Sequence, residues 1–100
     1  MRFLVVATPK FAAPPEMIVT MIDRSEEWHQ RHDDKFEASG LFPGGGGFAI
    51  ADVSDEAELH RMIVEHPFAP FSEIITRPIV DNATGYRQAR EAFSAMMASA

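Results

Sequence analysis

The chain has 100 residues, 46% of them apolar, with a formal net charge of −6 and no cysteine. That length makes one domain with a thin core, and the missing cysteines exclude disulfides and thiolate metal sites. An acidic balance with no cluster of lysine or arginine argues against a nucleic-acid partner, and no apolar run approaches the length of a membrane span.

In chain order, Arg2 to Thr8 (RFLVVAT) predicts a first strand, stopped by Pro9. The apolar run after Arg2 is too short for a secretory signal, so the expected compartment is the cytoplasm. Pro14 and Pro15 stand at the entrance of a long helix expected from about Pro15 to Ala38, because proline at the first helical position loses nothing. Ile18, Met21, Ile22, Trp28 and Phe36 give its apolar stripe, with Ser25, His29 and His32 along the same spacing. Gly40 stands where a left-handed helix cap is expected.

Leu41 to Pro43 predicts a short strand, starting as early as Glu37, and Gly44 to Gly47 turn the chain into a third strand, Phe48 to Val53. Ser54 reads as an N-cap, Asp55, Glu56 and Glu58 as first-turn acids, and Leu59, Met62 and Ile63 as the stripe of a second helix, Asp55 to His66. Pro67 stops that helix and Phe71 to Val80 predicts the fourth strand. A last helix is expected over about residues 83–98, with Tyr86, Ala89, Phe93, Met96 and Met97 on one side.

This order is that of an α+β, ferredoxin-like split βαβ fold (βαββαβ) with an added C-terminal helix, residues 1–100 forming one domain. The strands are apolar on both faces: Leu4 with Val5, Phe48 with Ala49, Ile74 with Ile75. A sheet with one solvated face would alternate with polar residues. Helices on one side leave the other bare, so the second cover is expected to be another subunit. A homodimer or a larger homo-oligomer, closing a dimeric α/β barrel, is therefore expected.

The run from Asp52 to Phe71, DVSDEAELHRMIVEHPFAPF, resembles the strand–helix–"PF" segment of the muconolactone isomerases and the related YCII-like domains. The resemblance implies a dimeric α/β barrel. It also implies a cofactor-independent isomerase that shifts a proton on a small unsaturated lactone or conjugated cyclic acid, as in aromatic catabolism. Between Gly40 and Gly47 the chain is shorter than those isomerases, so none of their catalytic residues is carried over.

The chemistry is sought instead in the polar cluster Glu26 to Asp34 (EEWHQRHDD). Histidines three apart share a helical face, and an imidazole with a reference pKa near ~6.5 suits proton transfer at neutral pH. His32, with Trp28 four residues before and Phe36 four after, is expected to be the base, and His29 to assist it. Trp28, Phe36, Arg77 and Tyr86 are the expected substrate contacts, with Arg2 and Lys35 as further cations for a carboxylate. The bland reading makes both histidines boundary residues without chemistry. Glu26, His29 and His32 can bring one carboxylate and two imidazoles together, but six helical residues spread the ends apart and no third firm ligand stands elsewhere, so no metal is expected, and the resemblance implies no cofactor. Gly44 to Gly47 open a strand, whereas a phosphate cradle opens a helix. Two alternatives stay open: a non-catalytic small-ligand-binding or assembly domain, and a cofactor-free oxygenase on the same architecture.

Overall fold

The structure is a computed structural model and describes residues 1–99. Strand β1 (Arg2–Pro9) is followed by a 3₁₀ turn and helix α1 (Ile18–Arg31). Strands β2 (Phe36–Leu41) and β3 (Gly47–Asp52) come next, then helix α2 (Glu56–Val64), strand β4 (Ser72–Ile79) and helix α3 (Asn82–Ser99). The four strands form one antiparallel sheet in the order β2-β3-β1-β4, the ferredoxin-like arrangement.

Helix α1 is shorter than its periodicity predicts. It ends at Arg31, and a 3₁₀ turn over Asp33–Lys35 leads directly into β2. Acids at positions 33 and 34 would oppose the negative end of the helix dipole, which favours stopping before them. Phe36 therefore starts a strand, paired with Ala51 of β3, and does not extend the helical stripe. Gly40 is not a helix cap but a strand residue beside Phe48, whose ring lies 2.9 Å from where a Cβ would stand. The glycine turn before β3 has its left-handed residues at Gly45 (φ 105°) and Gly46 (φ 79°).

Helix α2 is capped one residue later than predicted. Asp55 takes the N-cap position and accepts the Glu58 amide at 2.9 Å, while Glu58 reaches back to the Ser54 amide at 2.8 Å and hydroxyl at 2.6 Å. Lys35 lies 3.3 Å from the same carboxylate. These contacts, led by the Ser54 hydroxyl, hold the Glu58 carboxyl down at about 2.

Register sorts the two sheet faces. Phe3, Ala51, Val53, Leu59 and Met62 make the buried core between the sheet and the helices, and Val5, Trp28, Phe36 and Ile63 pack around it. On the opposite face Leu4 pairs with Ile50 and Arg77, and Val6 with Phe48 and Ile75. Ile75 is 43% exposed there. Helix α3 is held at its start by Asp81, which accepts the Thr84 amide at 3.0 Å and hydroxyl at 2.6 Å. It buries none of its residues, and Tyr86, Phe93, Met96 and Met97 are all exposed. The chain is accordingly elongated, with a radius of gyration of 17.4 Å, against about 13 Å for a compact chain of this length. No described helix is long and apolar enough to cross a membrane.

Candidate active site

The rings of the α1 end converge on Trp28, the chain's one tryptophan. Its indole is half-buried and donates from Nε1 to the Met62 carbonyl at 2.9 Å. That carbonyl belongs to the last turn of α2, where helix geometry leaves acceptors without a partner. The bond thus ties α1 to α2 and fixes the indole plane. Around it lie His66 at 4.7 Å between ring centroids, His32 at 5.1 Å, Phe36 at 5.6 Å and His29 at 6.4 Å.

Each imidazole has a distinct setting. His29 faces the sheet, with its Nε2 3.2 Å from the Ser39 hydroxyl of β2 and its ring 5.0 Å from that of Phe36. His32 caps α1 through its backbone amide, which donates to the Trp28 and His29 carbonyls. Its side chain is mostly covered, and Nε2 is buried without a hydrogen-bond partner. The nearest anion is Glu65, 3.7 Å from that nitrogen, beyond hydrogen-bond range. His66 accepts the Phe68 amide on its Nδ1 at 3.1 Å. Burial, and then the proximity of His29, push its pKa below the ordinary histidine value.

The structure therefore brings together four of the expected residues: Trp28, His29, His32 and Phe36. The helical route expected for Phe36 is corrected, since it arrives from β2, against Trp28 and His29. Arg77 and Tyr86 do not join them within one chain. Arg77 is exposed on the face of β4 that carries Leu4 and donates to the Thr76 carbonyl, and Tyr86 is exposed on α3. Arg2 pairs with Glu37 at 3.2 Å and Lys35 with Glu58, so neither is a free cation at the cluster. Sequence reasoning missed Ser39, Glu65 and His66. The last had one available signal, a histidine placed immediately before the proline that ends α2.

Beside Trp28, along α1, runs an open groove of about 550 Å³ whose lining includes Met17, Met21, Arg31, Glu65, Pro67 and Phe71. Among the described residues no three histidine or carboxylate side chains are grouped as metal ligands. The arrangement offers one imidazole near a carboxylate, a second tied to a hydroxyl, and aromatic rings packed against both. That set can move a proton on a flat, conjugated ligand.

These features define a ferredoxin-like α+β protein with an imidazole and indole cluster where its first helix meets the sheet. It has the fold of muconolactone isomerase. A crystal structure of that enzyme matches with a TM-score of 0.72 and 20% identity, covering 82% of this chain and 91% of the other. A 5-chloro-2-hydroxyhydroquinone dehydrochlorinase from Burkholderia phenoliruptrix AC1100, solved with 2,5-dihydroxybenzoquinone, matches with a TM-score of 0.66 and 18% identity. That likeness covers 84% of this chain and 98% of the other. No protein-family model matches the chain, and no curated protein sequence matches it.

Proposed function

We propose that this chain is a cofactor-independent cytoplasmic isomerase that shifts a proton on a small unsaturated lactone or conjugated cyclic acid, working as a homodimer or larger homo-oligomer. The observation that carries this reading is the packing of His29 and His32 with the Trp28 and Phe36 rings. It occurs in a fold shared with a lactone isomerase and a dehydrochlorinase. Loss of a proton next to an electron-withdrawing system is the step a positioned imidazole serves.

In this reading His32 takes the proton from the saturated carbon at the far end of the double bond that is conjugated with the lactone carbonyl. The electron pair left behind is delocalised over the carbonyl and the conjugated double bond. The same imidazolium returns the proton to the carbon beside the carbonyl, so the double bond moves and no atom is gained or lost. Glu65 steadies the charge that the ring carries between the two transfers. His29, held by Ser39, assists on the sheet side. Trp28 and Phe36 wall off water from the flat substrate.

The test is turnover of muconolactone by wild type and His32→Gln in deuterated water. Wild type should convert it, and substrate hydrogen retained at the new carbon–hydrogen bond reports return of the proton by the same base, with deuterium there only where the ring exchanges with solvent first. Loss of a positioned base costs ~10²–10⁴ in rate, so His32→Gln should fall by that factor with an unchanged circular dichroism spectrum. Full activity in a folded His32→Gln protein removes His32 from the mechanism. No turnover or deuterium exchange by the wild type on muconolactone and its close analogues refutes the isomerase reading.

A further inference from the structure

The third imidazole of the cluster has no part in that reaction, yet it is the most constrained. His66 follows α2 and opens the connection to β4. Its backbone amide donates to the Ile63 carbonyl at 3.0 Å, and its carbonyl accepts the Ala69 amide at 3.0 Å. Its Nδ1 accepts the Phe68 amide at 3.1 Å, and the ring stands edge-on to Trp28 at 77°. Phe68 in turn orders the start of β4: its carbonyl accepts the Phe71 amide at 3.0 Å and the Ser72 hydroxyl at 2.9 Å. The Phe71 carbonyl then accepts the Lys10 and Phe11 amides, closing the connection onto the end of β1. Pro67 and Phe71, both in this segment, form a wall of the groove beside Trp28.

One ring nitrogen therefore anchors a chain of hydrogen bonds that shapes the groove. A nitrogen that accepts a backbone N–H must be unprotonated. A proton added there sets a donor against a donor.

We propose that His66 is a proton-operated latch: its neutral ring holds the α2–β4 connection closed against Trp28, and protonation of Nδ1 releases Phe68 and opens the wall of the groove. The surroundings give the added charge little help. From α1, His29 and His32 face the same indole, and Arg31 lines the groove. From the end of α2, Glu65 is the adjacent acid, but its carboxylate is directed to His32. From β2, the neighbours are the uncharged Phe36 and Ser39, which pack on His29. Lys10, on the segment joined to Phe71, turns its ammonium over the Phe11 ring. Burial and His29 both disfavour a charged His66, so the closed connection binds its proton less readily than an open one. The closed state is then fully favoured above the ordinary histidine pKa and loses ground as pH falls through the lower value of the closed ring. The latch is independent of what the cluster catalyses.

The experiment is amide hydrogen exchange on the whole chain from pH 8 to pH 5, with the His66 ring titration followed by NMR. The protection factor of the Phe68 amide should fall about tenfold per pH unit below ~6.5 until the closed ring titrates, while the Val5 amide in β1 keeps its own. In His66→Asn the side-chain oxygen can accept the same amide but does not titrate, so Phe68 protection should be flat with pH. Pulling the Phe68 and Val5 amides down together marks global unfolding and overturns the proposal. So does Phe68 protection that stays constant while His66 titrates. The same pH step in His66→Asn assigns the effect to another histidine and also overturns it. If His66→Asn does not fold, the wild-type comparison of Phe68 with Val5 decides alone.

Discussion

Removing the Trp28 indole should unsettle more of this fold than any surface change, and the amount can be worked from its contacts. The ring packs on the buried core formed by Phe3, Ala51, Val53, Leu59 and Met62. Deleting a large aromatic from such a position costs about 3–5 kcal/mol. Trp28→Phe separates the terms, because it keeps an aromatic ring and removes only the second ring and the Nε1–H. The Met62 carbonyl then loses its partner at the half-buried end of α2, a penalty of about 1–3 kcal/mol. Against a total of roughly 5–15 kcal/mol for a domain, Trp28→Ala removes a large share. Urea unfolding followed by far-ultraviolet circular dichroism is the assay, at one fixed protein concentration because assembly shifts apparent stability. With m near ~1–3 kcal/mol per molar urea, the Trp28→Ala midpoint should fall by at least ~1 M. A fall below ~0.3 M at unchanged m would refute the claim that the indole joins the helices to the core. A Trp28→Phe protein as stable as wild type would refute the part assigned to the Met62 bond.

Two further outcomes are expected. The Glu58 carboxyl is held at about 2 from an ordinary 4.5, chiefly by the Ser54 hydroxyl and amide and then by Lys35. Its stabilisation is complete above 4.5 and is lost as pH falls toward 2, so Glu58→Gln should lower stability at pH 7 and flatten the acid-unfolding curve within that window. Thermal unfolding at stepped pH measures this, and an unchanged acid profile counts against the capping contacts. Sedimentation at micromolar concentration should find no folded monomer, given the apolar side chains left open on the sheet and on α3; a stable compact monomer would defeat the homo-oligomer reading.

A feature was legible in the sequence to the extent that nearby residues determine it. The four strands and three helices announce themselves through alternation, proline stops and acidic caps, all read within a few residues. That the strands are apolar on both faces was legible too, and the pairing register then puts Leu4, Val6, Phe48 and Ile50 on one side. The end of α1 was not. The stripe from Trp28 to Phe36 fits helical spacing, and only the dipole cost of Asp33 and Asp34, together with the pairing of Phe36 with Ala51, ends the helix early. The second of these is a long-range contact that no local window contains. The same holds for Ser39 beside His29 and Glu65 beside His32, where partners from separate elements meet.

Four of the residues named from the sequence nevertheless lie together, Trp28, His29, His32 and Phe36, while the local geometry expected for them was wrong, and the reason is physical. A helix carrying Trp28 and His32 on its inner face must stop above the sheet, and the chain must reverse there to form the neighbouring strand. Whichever residue begins that strand on the helix-facing side is delivered beside the last inward turn of the helix. Phe36 therefore packs on Trp28 at 5.6 Å by turning back instead of by continuing. The substituents that depended on the helical angle alone were placed differently: Phe36 packs on His29, at 5.0 Å, whereas the helical spacing had set it over His32. In this fold the buried side of the chain is the robust inference, since hydrophobic burial constrains it from both elements. The identity of each neighbour depends on where one helix ends, and here two acids and a strand pairing decide that.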